Sequence, residues 1–316
     1  MGQSRQPLLT LAAALVVSFV VLVLSVLATI DGPTLWRQAT GHVTVESLQE
    51  GGIERDFRVF RPSSVLTKPA LVIVLHGADA SGQQIERQSG FDAQAERLGW
   101  IAAYPDGYAD GWNPFGCCHH PGVDDVAFIG DIIDKLLGSD GIDANRVYVT
   151  GISRGGMMAY RLACELSAKL AAIAPVAGNM ADASGNAMKV DCRPDRPVSV
   201  LAIHGSDDPE IPIDGGRSHV VVEEVSYAPL ADVIRRWREL DACASFSAVA
   251  KDGPVTRQTW GCDQHTEVAE VVVDGAGHTW PGAPLVNPPW GPAALFDASR
   301  AIADFFAAHP RPGPQA

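Results

Sequence analysis

The chain is short of positive charge and has no cluster of lysine or arginine: 24 Lys and Arg stand against 37 Asp and Glu, a formal net charge of −13. That balance disfavours phosphate backbones and anionic lipid surfaces, and nucleic acid is set aside as a partner. The histidines show no metal-binding spacing of the His-Glu-x-x-His kind. Internal repeats and low-complexity linkers are lacking too, and with 19% charged residues the composition is not that of a disordered chain. What the chain does have is apolar material, 47% of its residues. Its 316 residues suit one large α/β domain around a single sheet.

One apolar stretch stands apart. Leu8 to Ile30 carries no charge, follows Arg5 and precedes Asp31-Gly-Pro33. It is long enough to cross a bilayer. Residues 1–35 are therefore expected to form a signal anchor, or a signal peptide cleaved after Val26-Leu-Ala28, with Arg5 keeping that end cytoplasmic. Residues 36–316 then form a catalytic domain outside the cytoplasmic membrane, tied to it only if the segment stays uncleaved. Six cysteines in an exported chain suggest disulfides. Cys243 and Cys262 bracket one segment and could staple it. Cys164, about three turns into a helix, and Cys192, ahead of a buried strand, should both lie at the lower edge of the sheet. Cys117 and Cys118 are left as a vicinal bridge or as two thiols.

Beyond the N-terminal segment, Gly41–Ser47 and Ile53–Arg61 alternate apolar and polar residues, as an edge hairpin does. Leu71–Leu75 is instead continuously apolar, as expected of a strand covered on both faces. A helix is expected to end near Leu98, a strand at Trp100–Tyr104, and then a long loop, Pro105–Gly122. A helix at Val123–Leu137, strands at Arg146–Thr150, Ala171–Val176, Val198–His204 and Val268–Asp274, and helices at Pro229–Leu240 and Ala293–Ala308 complete the pattern. Alternation of this kind predicts a mostly parallel central sheet with helices on both faces, preceded by one N-terminal apolar helix.

The strand at Arg146 runs into Gly151-Ile-Ser-Arg-Gly155, a sharp strand-to-helix elbow that would expose the Ser153 hydroxyl at a helix N-terminus. A serine needs a base, and the base a carboxylate. Asp207 and Asp208 follow the Val198 strand, and His278 follows the last one. In a parallel sheet these carboxyl ends face one crevice. The order Ser, Asp, His is that of α/β hydrolases.

These residues resemble the polyhydroxybutyrate depolymerase and feruloyl esterase group, close to carbohydrate esterase family 1. The resemblance rests on Gly151-Ile-Ser-Arg-Gly-Gly-Met-Met-Ala-Tyr160, Ala174-Pro-Val-Ala-Gly178, His204-Gly-Ser-Asp-Asp-Pro-Glu-Ile-Pro212 and Gly277-His-Thr-Trp-Pro-Gly282. Gly111-Trp-Asn113 and Val123-Asp-Asp-Val-Ala-Phe128 add to it, and it spans Ile53 to Phe306. It implies an α/β hydrolase fold and Ser153 as nucleophile, His278 as general base and acid, and Asp208 as the residue holding the imidazole, with Asp207 as competitor. It also implies Arg154 and Ala78 as oxyanion-hole donors. Trp112 and Trp280, with Trp290, would wall the substrate pocket if exposed. His76 and His204 read as hydrogen-bonded support. Where the family has glycine and small residues after its cysteine pair, this chain has His119 and His120, read as reshaping the pocket rim rather than as metal ligands.

The expected activity is serine esterase chemistry through an acyl-enzyme, on feruloyl or acetyl esters of polysaccharide or on short hydroxyalkanoate esters, with no cofactor. Acyl transfer by the same triad, or a non-catalytic surface binding protein on a hydrolase scaffold, are the alternatives.

Overall fold

Leu71–Leu75 (β3) lies fully buried in the computed structural model and sends Leu71, Ile73 and Leu75 into one hydrophobic core and Val72 and Val74 into another. A run with no polar residue is what a strand with protein on both faces requires. The described residues are 39–114, 121–180, 192–219, 225–245, 247–283 and 296–311. The Leu8–Ile30 run, Cys117, Cys118, His119, His120 and Trp290 fall outside them.

The other strands are β1 (His42–Glu50), β2 (Ile53–Arg61), β4 (Ile101–Pro105), β5 (Val147–Ile152), β6 (Ala172–Val176), β7 (Ser199–Gly205), β8 (Gly216–Arg217), β9 (Ser226–Tyr227), β10 (Ala248–Asp252), β11 (Val255–Gly261) and β12 (Glu267–Val273). The helices are α1 (Gly82–Ser89), α2 (Phe91–Leu98), α3 (Asp125–Ser139), α4 (Arg154–Glu165), α5 (Leu230–Leu240) and α6 (Ala298–Ala308). One ten-stranded sheet runs in the order β1-β2-β4-β3-β5-β6-β7-β12-β11-β10. Its centre, β4 to β12, is parallel. An antiparallel hairpin closes each edge, β1–β2 on one side and β10–β11 on the other. This is the α/β hydrolase fold, a mostly parallel sheet flanked by helices.

The second edge hairpin has no counterpart in the expected strands. Every residue of β10 is exposed, so the segment has no buried face to write a two-residue period into the sequence. The Gly253-Pro254 pair between the strands was the available signal. Disulfide Cys243–Cys262 fastens the chain after α5 to the end of β11, and Cys164–Cys192 joins the end of α4 to the approach to β7. Both are the pairs expected from position along the chain. The helix expected to end at Leu98 is α2, and the polar segment before it forms a helix of its own, α1, the two meeting at Gly90.

Two buried contacts position the loops that matter below. Arg55 on β2 pairs with Asp125 at the start of α3, and Asp125 Oδ2 accepts the backbone N–H of Asn113 at 2.7 Å. The loop carrying Trp112 is thereby pinned to the sheet. At the other end, fully buried Asp241 caps the end of α5 and accepts the Val198 N–H ahead of β7 at 3.4 Å.

Burial pushes the Asp241 carboxyl up to about 7. Because the folded state holds this proton more tightly than the unfolded chain, its contribution to stability is full below about pH 4 and is lost as pH rises toward 7. Asp241→Asn is expected to reduce the loss of unfolding free energy between pH 5 and pH 8 by about 2 kcal/mol. Urea denaturation at the two pH values measures this, and an unchanged loss would contradict it.

Candidate active site

Strand β5 ends in the elbow, where Ser153 adopts φ 56° and ψ −123°. A serine held at positive φ is strained and needs surroundings that fix it. Its N–H donates to Val176 O at 2.9 Å, and its own carbonyl accepts the Met157 N–H at 2.9 Å. The elbow is thus tied to both β6 and α4. A Cβ on Gly155 would lie 2.4 Å from the Leu75 carbonyl oxygen, so only glycine lets α4 start this close to β3. The side chain of Ser153 stands at the N-terminus of α4, where helix N–H groups and the helix dipole favour negative charge.

Ala78, on the loop after β3, lines a shallow depression together with Ser153, Arg154, Met157, Glu210 and Ile211; Val225 and Tyr227 complete it. The loop is held from behind by His76. The Gly107 N–H donates to its Nε2 at 2.9 Å, which leaves Nδ1 to donate to Gly77 O at 2.7 Å. Burial lowers the His76 pKa, in keeping with a neutral ring of fixed tautomer. His76 therefore supports the loop.

Two further loops come from β7 and β12. They pass very close: a Cβ on Gly205 would sit 2.2 Å from Ala276 O. Asp208 Oδ1 accepts the N–H groups of Glu210 and Ile211, each at 2.9 Å, and Oδ2 accepts Nδ1–H of His278 at 2.8 Å. His204 Nε2 lies 3.3 Å from the same Oδ2. Burial alone would raise the Asp208 pKa, but the hydrogen bonds from His204 and His278 outweigh it and hold the carboxyl well below the usual range. Asp207 is exposed and accepts Ser206 Oγ instead, at 3.0 Å. Of the two candidate aspartates, Asp208 meets the imidazole. On its other side, His278 Nε2 faces Glu210 Oε2 at 3.3 Å. Burial pushes the His278 pKa down, yet the hydrogen bond to Asp208 and the charges of Asp208 and Glu210 overcome this and raise it.

Two expected pocket residues are elsewhere. Trp112 and Trp280 are each 1% exposed. Trp112 donates its indole N–H to His76 O at 3.0 Å, and Trp280 donates to Ser299 Oγ at 2.9 Å. The Arg55–Asp125–Asn113 contacts turn the first inward, and α6 covers the second. Both pack the core, and neither walls the depression. The residues that do and were not foreseen are Glu210, Ile211, Val225 and Tyr227. Glu210 and Ile211 sat within the His204–Pro212 motif. Val225 and Tyr227 belong to the short β9 region, which carries no periodic signal. Among the described residues, no group of three or more His, Cys, Asp and Glu side chains could hold a metal ion.

Residues 124–223 match the family described as phospholipase/carboxylesterase. The candidate esterase NocK of Nocardia uniformis subsp. tsuyamanensis is 32% identical over 250 residues, covering 73% of this chain and 70% of NocK. Feruloyl esterase B of Piromyces equi is 28% identical over 66% of this chain, which spans 39% of that protein's length. An acetyl xylan esterase from Aspergillus awamori superposes with a TM-score of 0.60 over 84% of this chain and 99% of its own, at 16% identity, a likeness of fold.

Because a Cβ at position 155 would meet rigid backbone, Gly155→Ala is expected to lower unfolding free energy by about 3 kcal/mol and to displace the elbow. Thermal unfolding together with an ester hydrolysis assay checks both effects. Native stability and turnover in this variant would contradict the close-approach argument.

Proposed function

Since the chain belongs to the phospholipase/carboxylesterase family of α/β hydrolases and is a serine hydrolase of carboxylic esters, we propose that it works through an acyl-enzyme on Ser153, with His278 as base and Asp208 as its orienting carboxylate. The observation that carries this reading is the buried Asp208–His278 pair, on loops from β7 and β12, joined through Glu210 to the depression that contains Ser153.

In the proposed reaction Ser153 Oγ attacks the ester carbonyl carbon as His278 Nε2 takes its proton. Asp208 keeps the other ring proton on Nδ1, fixing the tautomer, and stabilises the imidazolium that forms. The oxyanion is met by the backbone N–H groups of Ala78 and Arg154 at the start of α4. Collapse breaks the bond to the alcohol, which leaves with the proton from His278. Water, deprotonated by the same nitrogen, then attacks the acyl-enzyme and frees the acid.

Met157, Ile211, Val225 and Tyr227 give the depression an apolar wall suited to an acyl group. Feruloyl or acetyl esters on polysaccharide are the proposed substrates, the first in keeping with the name of feruloyl esterase B, and short hydroxyalkanoate esters are proposed from the sequence resemblance alone. The domain is proposed to act outside the cytoplasmic membrane, anchored by the Leu8–Ile30 run or released from it. The two disulfides support that placement, because such bonds persist in oxidising compartments.

Asp208→Asn is expected to lower kcat about 10⁴-fold through the wrong tautomer, and Ser153→Ala at least as far, whereas Asp207→Asn stays within about threefold. Turnover of nitrophenyl esters, with fluorophosphonate labelling of the wild type and not of Ser153→Ala, tests the assignment. Loss of activity in Asp207→Asn with Asp208→Asn intact would reverse the carboxylate assignment.

A further inference from the structure

The loop after β7 sends two carboxylates to one imidazole. Asp208 Oδ2 lies 2.8 Å from Nδ1 of His278, and Glu210 Oε2 lies 3.3 Å from Nε2. The same turn makes both contacts, because Asp208 Oδ1 accepts the N–H of Glu210 and so fixes the backbone from which that side chain reaches across. The Glu210 side chain is 15% exposed and that of His278 7%, so water screens the pair only in part. A carboxylate only accepts hydrogen bonds, and a neutral imidazole has one N–H to give. Nε2 makes no hydrogen bond to Glu210, so the glutamate acts through its charge, and a negative charge at that distance favours the doubly protonated ring.

Resting on the reading of His278 as the base, we infer that Glu210 is a positioning residue for ester hydrolysis. Its charge stands beside Nε2, the nitrogen that must be bare to accept the Ser153 proton, favours the imidazolium in the free enzyme, and so sets the acid limb of the pH profile. Among the described residues, other charged and titratable groups around the ring act on different terms. Asp208 binds Nδ1, His204 reaches the same Asp208 oxygen from β7, and Arg154 enters the depression from the first turn of α4. None of these puts a negative charge beside Nε2. The raised His278 pKa has the sign this arrangement requires, with the Glu210 charge among its causes.

The test is kcat/KM for p-nitrophenyl acetate from pH 4.5 to 9 in the wild type, Glu210→Gln, Asp207→Asn and Ser153→Ala. Glu210→Gln keeps the shape and removes the charge. It is expected to move the acid limb to lower pH, so that the rate at the acid end, relative to the same variant's plateau, rises at least about fivefold, the factor for one unit charge at contact distance in water, which partial burial enlarges. Asp207→Asn removes the same charge from the same loop, farther from the ring, and its limb should stay with the wild type. NMR titration of the His278 ring should show the same acidward movement in Glu210→Gln, independent of turnover. An unmoved limb in Glu210→Gln, or equal movement in Asp207→Asn, overturns the role of Glu210 while leaving Ser153 chemistry in place. Turnover surviving in Ser153→Ala would remove the reading of the base itself, and this inference with it.

Discussion

The Asp208 carboxylate is 4% exposed, and an isolated charge at such a place would cost several kcal/mol. Its oxygens instead meet two backbone N–H groups of its own loop, the Nδ1–H of His278, and His204 behind it. These contacts make the buried charge tolerable. They also impose geometry. The turn Asp208–Ile211 must close around one oxygen, and the loop after β12 must bring an imidazole to the other. β7 supplies His204 from within the sheet itself. The orientation of His278 follows from satisfying this one group.

The sheet order explains why the loops have to lean together. β5, which ends in Ser153, is separated from β12 by β6 and β7. At roughly 4.8 Å per strand that is about 14 Å along the sheet edge, too far for a serine and an imidazole standing upright on their own strands. Ser153 stays fixed at the elbow, its position over-determined by Val176, Met157 and the Gly155 approach to β3. For the proposed proton transfer the loop after β12 has to do the travelling, and it crosses the end of β7 at Gly205, where no Cβ stands in its way. Glu210, from the loop between them, touches both the depression beside Ser153 and the ring of His278.

The central strands were legible in the sequence because burial on both faces leaves an unbroken apolar run, as in Leu71–Leu75. Asp208 and His278 were legible as partners, and Ser153 as lying on the same edge, because each sits just past a central strand and parallel strands put those ends together. β10 was not legible, since a strand exposed at every position need not alternate. The tryptophans misled for a related reason. Trp112 and Trp280 lie in loops near the site, but whether an indole faces the pocket or the core depends on partners far along the chain. For Trp112 these are Arg55 and Asp125, and for Trp280 Ser299. Glu210 was in plain view two residues after Asp208. Its meaning depends on the side of the ring it reaches, and spacing does not encode that.

Buried carboxylates elsewhere in the fold show how far partners decide chemistry. Asp241 is fully buried, accepts one N–H from Val198, and its carboxyl is pushed up to about 7 by burial. Asp92 is likewise raised to about 7 by burial; its bond from Tyr104 and the nearby Arg58 pull downward, while the Glu86 charge adds to the rise. Asp208 is buried to a similar degree and moves the opposite way, because donors surround it on both oxygens. Burial is thus common to all three, and the number and sign of neighbouring groups separates a carboxyl that takes up a proton near neutrality from one that stays charged. Only the latter can hold an imidazolium through a catalytic cycle, which is why the hydrogen-bonded turn at Asp208–Ile211 is as much a part of the site as the side chains it displays.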